Sequence, residues 1–275
     1  MPTEHISLRE ATLVISDGVA EFSHLRPETR NVLSLALRAD YADMLERAER
    51  DRDIRVLILT GSGGSFCAGG DLKSLAAARA NPENGAPDAI RRRLADGHAW
   101  MQRLRNLEMP VIAAVDGPAV GAGFSLALAA DFVLASRRAF FCMSFVKVGL
   151  VPDLGAAYLL PRVVGLTAAK ELAMTARRVD AQEAKTLGIV HALHEPDALA
   201  DEARSFARRF ITGPREAMGL TKRLLNQTFE AHYASLAELE CATQAVAANT
   251  PYHADAVSAF LEGRPAPFDW ERQAR

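Results

Sequence analysis

PVIAAVDGPAVGAGFSLALAAD, at Pro110–Asp131, decides the fold. Val111–Val115 is a buried strand that ends in a turn at Asp116-Gly117-Pro118, and Gly121-Ala122-Gly123 then opens a helix over Phe124–Ala130. The same order occurs upstream, where RVLILT at Arg55–Thr60 runs into Gly61-Ser62-Gly63-Gly64 and SFCAGGDL at Ser65–Leu72, followed by a helix-forming stretch over Leu72–Ala78. A buried strand that twice meets a glycine-rich turn and a helix start implies an α/β core.

Working outward, Ala11–Ser16 and Gly18–Phe22 flank an Asp17-Gly18 hairpin signal and predict an antiparallel pair. Leu33, Leu37, Tyr41 and Leu45 recur at helical spacing and predict a helix over Asn31–Arg50. A further helix is expected over Ala89–Leu107, strands over Phe132–Ala135 and Ile189–Leu193, and between these strands a region from Asp153 to Gly188 that is helical with breaks at Pro161, Gly165 and Asp180. From Pro196 onward the pattern is helical: Leu199–Phe210, Pro214–Phe229, Tyr233–Ala248 and Tyr252–Leu261. The expected organisation is an α/β core over 1–195 and a helical region over 196–275.

Composition narrows the function. With 49% hydrophobic and 24% charged residues the 275-residue chain is ordinary globular material, and a net charge of −2 without a Lys/Arg run argues against nucleic acid. Arg91–Arg93, beside Asp88 and Asp96, read as a solvated helix face. Cys67, Cys142 and Cys241 are too few and scattered for a disulfide framework, and no Cys/His spacing matches a metal site, so a reducing cytoplasm is expected and no metal. MPTEHISLRE lacks signal-peptide character, and Asp116, Pro118 and Asp131 interrupt the apolar run as a membrane span would not.

The chemistry resides in the two glycine turns. Backbone N–H groups at a helix start lack intrahelical partners and carry the positive end of the dipole, so two that converge on one point make an oxyanion hole. Gly70 and Ala122 are the nominated positions. No Gly-Lys-Ser/Thr follows Gly61–Gly64, and Leu126 stands where a dinucleotide fingerprint needs a small residue, so neither ATP nor NAD is indicated.

SFCAGGDL and PVIAAVDGPAVGAGFSLALAAD, in register with RPETRNVL at Arg26–Leu33, GLVPDLGAAYLLPRVVG at Gly149–Gly165 and FLEGRPAPF at Phe260–Phe268, closely resemble the crotonase superfamily of enoyl-CoA hydratases and isomerases. The resemblance implies that the N–H groups of Gly70 and Ala122 polarise the carbonyl of an acyl-CoA thioester. It departs from the hydratases at two positions. Ser125 and Phe145 stand where those enzymes carry the glutamate pair that adds water, and neither side chain exchanges protons with water and carbon at neutral pH. Hydratase activity is therefore expected to be poor, with Ser125 and Phe145 left as pocket walls.

One carboxylate falls where the block FVKVGLVPDLGAAYLLPR resembles the 1,2-epoxyphenylacetyl-CoA isomerase branch, and where other enoyl-CoA and dienoyl-CoA isomerases also carry an acid: Asp153 in LVPDLG. A single base suffices to move a proton between carbons, and apolar Leu150, Val151 and Leu154 would raise its proton affinity. The competing reading is a helix N-cap. Asp71 is expected to brace its turn, and Asp131, near a helix C-terminus, to need a donor. For CoA, the resemblance implies Arg30 at the phosphates, the Ala68 backbone at the adenine, and Phe260 and Arg264 near a neighbouring subunit's CoA. It implies a spiral of ββα units with a C-terminal helical trimerisation region, a homotrimer or dimer of trimers, and no cofactor beyond the CoA of the substrate. An enoyl-CoA isomerase is the leading expectation; the alternatives are a hydrolase or dehalogenase with Asp153 as nucleophile, and a non-catalytic acyl-CoA binder.

Overall fold

The computed structural model describes residues 3–81, 83 and 86–271. A seven-stranded sheet is built from β1 (Glu4–Ser7), β2 (Ala11–Ser16), β3 (Val19–His24), β4 (Val56–Gly61), β5 (Val111–Val115), β7 (Phe132–Ser136) and β10 (Ala192–His194), in that spatial order. A smaller sheet holds β6 (Pro118–Val120), β8 (Phe140–Cys142) and β9 (Arg178–Asp180) in the order β6-β8-β9. The first three strands form an antiparallel meander, and from β3 through β4, β5, β7 and β10 every pairing is parallel. The connecting helices are α1 (Leu35–Arg50), α2 (Leu72–Ala80), α3 (Pro87–Arg105), α4 (Ala122–Leu128), α5 (Ala156–Val164), α6 (Leu166–Thr175) and α7 (Ala181–Thr186), and α8 (Leu199–Arg208), α9 (Arg215–Leu225), α10 (Tyr233–Ala248) and α11 (Pro251–Leu261) follow.

Alternation along the central strands supplies two cores. Leu57, Leu59, Val111, Ala113 and Val133 face the main core with Phe22, Leu37, Tyr41 and Phe124, whereas Val56, Ile58, Ile112, Ala114 and Leu134 face Leu199, Ala203 and Ala207 of α8. Burial on both faces is why these strands read as unbroken apolar runs. Each fully buried Leu or Phe contributes about 2 kcal/mol to stability. Because α8 covers the outer face of the sheet, the sheet is sealed by residues that follow position 195. Helices α10 and α11, by contrast, leave Tyr233, Val246, Val257, Phe260 and Leu261 exposed.

Several local expectations are corrected. The N-terminal pair is a three-stranded meander, since Glu4–Ser7 also pairs with β2. The helix expected from Asn31 begins at Leu35, because Arg30 and Asn31 take left-handed backbone conformations and Ser34 caps the helix by accepting from the Leu37 N–H. Asn31 is buried, with its carboxamide accepting from the Arg26 N–H and donating to the Ser62 and Ser65 carbonyls, so it ties the turn before α1 to the first glycine loop. The Asp153–Gly188 region contains β9, a strand too short to show a period, and the strand expected at Ile189–Leu193 is Ala192–His194. The resemblance implies ββα units in two nearly perpendicular sheets, and a second sheet is present, but its three short strands were not placed from the sequence. No described helix is long and apolar enough to cross a membrane, and no described group of His, Cys, Asp or Glu is arranged to hold a metal ion.

Candidate active site

The two glycine loops interlock. The Cys67 N–H donates to the Pro118 carbonyl at 3.0 Å, the Val120 N–H returns to the Cys67 carbonyl at 3.0 Å, and the Leu33 N–H holds the Gly69 carbonyl at 2.8 Å. Contact is so close that only glycine fits at two positions. A Cβ on Gly123 would lie 2.2 Å from the Cys67 carbonyl oxygen. One on Gly69, whose φ is +100°, would meet the Val120 carbonyl oxygen at 2.8 Å and the Ala122 nitrogen at 3.7 Å. Ala122 and the Gly69-Gly70 turn are thus neighbours, and among the described residues neither the Gly70 nor the Ala122 N–H donates a hydrogen bond. Ala122 is the first residue of α4, so its N–H is one of the helix's unpaired starting donors. The sequence-nominated pair is brought together, with Gly70 partly accessible.

Beneath the first loop is a buried polar chain. His24 on β3 is fully buried; its Nδ1–H donates to the Phe66 carbonyl at 2.9 Å, and its Nε2 accepts from the Tyr41 hydroxyl at 2.7 Å. A carbonyl only accepts, which makes Nδ1 the protonated nitrogen. Burial lowers the His24 pKa to about 4, so the ring is neutral at physiological pH. Tyr41 stacks on Trp100 of α3 at 4.9 Å, which joins α1, α3, β3 and the loop. Cys67, buried under the same loop with its thiol pushed up to about 11, is an inert core residue.

Asp153 lies between the short 3-10 turn Ser144–Val148 and α5. It does not cap α5: the N-cap is Gly155, with no side-chain capping bond, and Asp153 Oδ1 is buried without a hydrogen-bond partner. The left-handed turn at Leu154 and Gly155, with φ of 50° and 82°, separates the carboxylate from the helix start. Burial raises the Asp153 proton affinity, and Arg38 and His98 pull it partway back. The tie to the oxyanion loops is Ser125: one turn into α4 from Ala122, its hydroxyl donates to the Asp153 carbonyl at 3.0 Å. Ser125 is fully buried, and its hydroxyl fixes the chain that carries Asp153. Phe145, 6% exposed, packs near Gly121 at the foot of α4.

The remaining candidates divide. The Arg30 carbonyl accepts from the Ala68 N–H at 2.9 Å and from the Ser65 hydroxyl at 3.1 Å, so the two nominated CoA residues adjoin, and the Arg30 side chain is exposed. Phe260 is 82% exposed at the end of α11, and Arg264, just beyond, pairs with Glu262 at 2.6 Å. Asp71 caps α2 by accepting from the Lys73 and Ser74 N–H groups, and Asp131 accepts from the Val111 N–H and Lys222, each as expected. The stretch Leu75–Asp88 enters α2 and α3, while residues 82, 84 and 85 lie outside the described residues. Sequence reasoning missed Arg38 and His24. The only signal for Arg38 was a charge bordering the Leu37–Tyr41 apolar stripe, and for His24 a polar residue at the end of a strand.

The family described as enoyl-CoA hydratase/isomerase matches residues 14–273. Among curated proteins, the chain is 37% identical over 254 residues to the 1,2-epoxyphenylacetyl-CoA isomerase of Escherichia coli (strain K12), covering 92% of this chain and 96% of that one. It is 29% identical over 256 residues to 4-chlorobenzoyl coenzyme A dehalogenase-2 of an Arthrobacter species, covering 93% and 90%. Among solved structures, an enoyl-CoA hydratase/isomerase from Cupriavidus metallidurans CH34 superposes with a TM-score of 0.90 at 42% identity, covering 95% of this chain and 97% of that one.

Proposed function

Because the chain belongs to the enoyl-CoA hydratase/isomerase family, we propose that it is an acyl-CoA isomerase working through a thioester enolate with one carboxylate. The thioester oxygen accepts from the Gly70 and Ala122 N–H groups, which favour it most when it becomes an enolate oxygen. Asp153 takes a proton from one carbon and returns it to another, shifting a double bond. Arg30 neutralises CoA phosphates and the Ala68 backbone meets the adenine. The exposed apolar residues of α10 and α11 are covered in a homotrimer or dimer of trimers, where Phe260 and Arg264 approach a neighbour's CoA. The reaction runs in the cytoplasm and takes no cofactor beyond the CoA of its substrate.

One observation carries this reading: a carboxylate with an unpartnered buried oxygen and raised proton affinity, fastened through Ser125 to the helix whose first N–H completes the hole. The absence of a second acid at Ser125 and Phe145 disfavours water addition. Incubating the protein with enoyl-CoA esters in heavy water should exchange the hydrogens of the α- and γ-carbons, and Asp153→Asn should slow exchange about 100- to 10,000-fold. Undiminished exchange in Asp153→Asn, or none in the wild type with any acyl-CoA tried, refutes it. The same open oxygen favours a second reading, in which Asp153 attacks an activated acyl group as a nucleophile; a covalent adduct on Asp153 seen by mass spectrometry would establish it instead.

A further inference from the structure

Asp153 is not the sole charged group left open here. Arg38 of α1 and Leu154 converge on Gly97 of α3: a Cβ there would lie 2.9 Å from Leu154 Cδ2 and 3.9 Å from Arg38 Nη1. The missing side chain brings α1, α3 and the Asp153 loop to one point. Arg38 Nε is buried without a hydrogen-bond partner, as is Asp153 Oδ1. These opposite charges act on each other electrostatically, yet they are farther apart than the 4.0 Å of an ion pair. The other titratable groups that act on them, Arg93 on Arg38 and His98 on Asp153, come from α3.

An unmet N–H and an unmet carboxylate oxygen are both costly when sheltered from water, and direct contact would relieve the two at once. Held apart, they match a group that accepts from one and donates to the other. A hydroxyl does both, whereas a hydrocarbon does neither, and a carboxylate would be repelled by Asp153. We infer that Arg38 is a specificity determinant that selects acyl-CoA esters bearing a hydroxyl on the acyl chain, with Arg38 donating to the hydroxyl oxygen and the hydroxyl hydrogen turned to one Asp153 oxygen. The other oxygen stays free for the carbon acid. This inference rests on the isomerase reading, which lays the acyl chain beside Asp153.

The test compares hexanoyl-CoA with 3-, 4- and 5-hydroxyhexanoyl-CoA by calorimetry on the wild type, Arg38→Met and Arg38→Gln, alongside heavy-water exchange with an unsubstituted enoyl-CoA. A charge-assisted hydrogen bond predicts that at least one hydroxy ester binds the wild type about 10- to 100-fold tighter than its parent. Both variants should lose that preference while binding hexanoyl-CoA as well as the wild type does. Equal wild-type affinities for parent and hydroxy esters overturn the inference whatever the variants do. A preference that survives in a folded variant overturns it too. Exchange of the unsubstituted ester with no discrimination refutes the role of Arg38 alone; absence of both exchange and binding refutes the isomerase reading and this inference with it.

Discussion

Gly123→Ala tests whether the interlocking of the two glycine loops sets the proposed oxyanion hole. The new Cβ would sit 2.2 Å from the Cys67 carbonyl oxygen, 2.8 Å from Cys67 Cβ and 2.9 Å from its carbonyl carbon. These are backbone or Cβ atoms, which no rotamer change can remove. To restore an ordinary contact of 3.4 Å, α4 and the Cys67–Gly70 loop must separate by about 1.2 Å, comparable to the displacement that costs about 100-fold in an enzyme site. Loss of one oxyanion donor costs about 100- to 1,000-fold in kcat. The stability cost of such overpacking is smaller, about 1–3 kcal/mol, against the 5–15 kcal/mol typical of a domain. The variant should therefore fold, melt somewhat lower, and exchange thioester α-hydrogens about 100- to 1,000-fold more slowly, mostly in kcat. Exchange within about threefold of the wild type in a folded Gly123→Ala protein would mean that the spacing of these loops does not set the reactive geometry.

Three further outcomes follow from the same geometry. The folded state holds His24 neutral with a pKa of about 4 against an ordinary 6.5, so the unfolded chain binds the proton more readily and stability falls with acid between these values; wild type should lose about 2 kcal/mol more than His24→Gln between pH 7 and 5 in urea titrations, and equal losses would refute the assignment. Ser125→Ala removes the hydroxyl that holds the Asp153 carbonyl, so it should cost about 1 kcal/mol of stability and about tenfold in kcat with KM nearly unchanged, and an unchanged kcat would dissociate Ser125 from the site. Lys222→Met leaves Asp131, which also holds the Val111 N–H, without its 2.7 Å partner and should destabilise by about 1 kcal/mol in urea titrations; a loss within experimental error would show that the pair is immaterial.

The parallel sheet was legible because Val111–Val115 and Arg55–Thr60 are apolar at consecutive positions, and α1, α3 and α8–α11 because their periods run over several turns. The small sheet was not: Pro118–Val120, Phe140–Cys142 and Arg178–Asp180 are three residues each, too short for a period, and are fixed by pairing with one another. Of the proposed site, Gly70 and Ala122 were nominated from the two glycine turns and the resemblance, and Asp153 from the resemblance alone. Arg38 and His24 were not, because their roles come from residues distant in sequence. Arg38 acquires its setting only when Gly97 lets α3 close on it, and His24 only when α1 brings Tyr41 to its ring.

The departures at Ser125 and Phe145 also acquire a meaning that sequence comparison does not supply. Read as losses, they leave an impaired hydratase. In the folded chain neither position is an empty place for a carboxylate: Ser125 has no exposed surface and its hydroxyl is committed to the Gly121 and Asp153 carbonyls, while Phe145 is buried near Gly121. A glutamate at 125 would need room and a charge partner that the surrounding apolar α4 residues do not provide, and it would displace the bond that seats Asp153. Restoring glutamates at both positions would therefore not add hydration to the existing chemistry. It would release the loop that carries Asp153, the single acid of the proposed site, through the Ser125 bond that this packing of α4 provides.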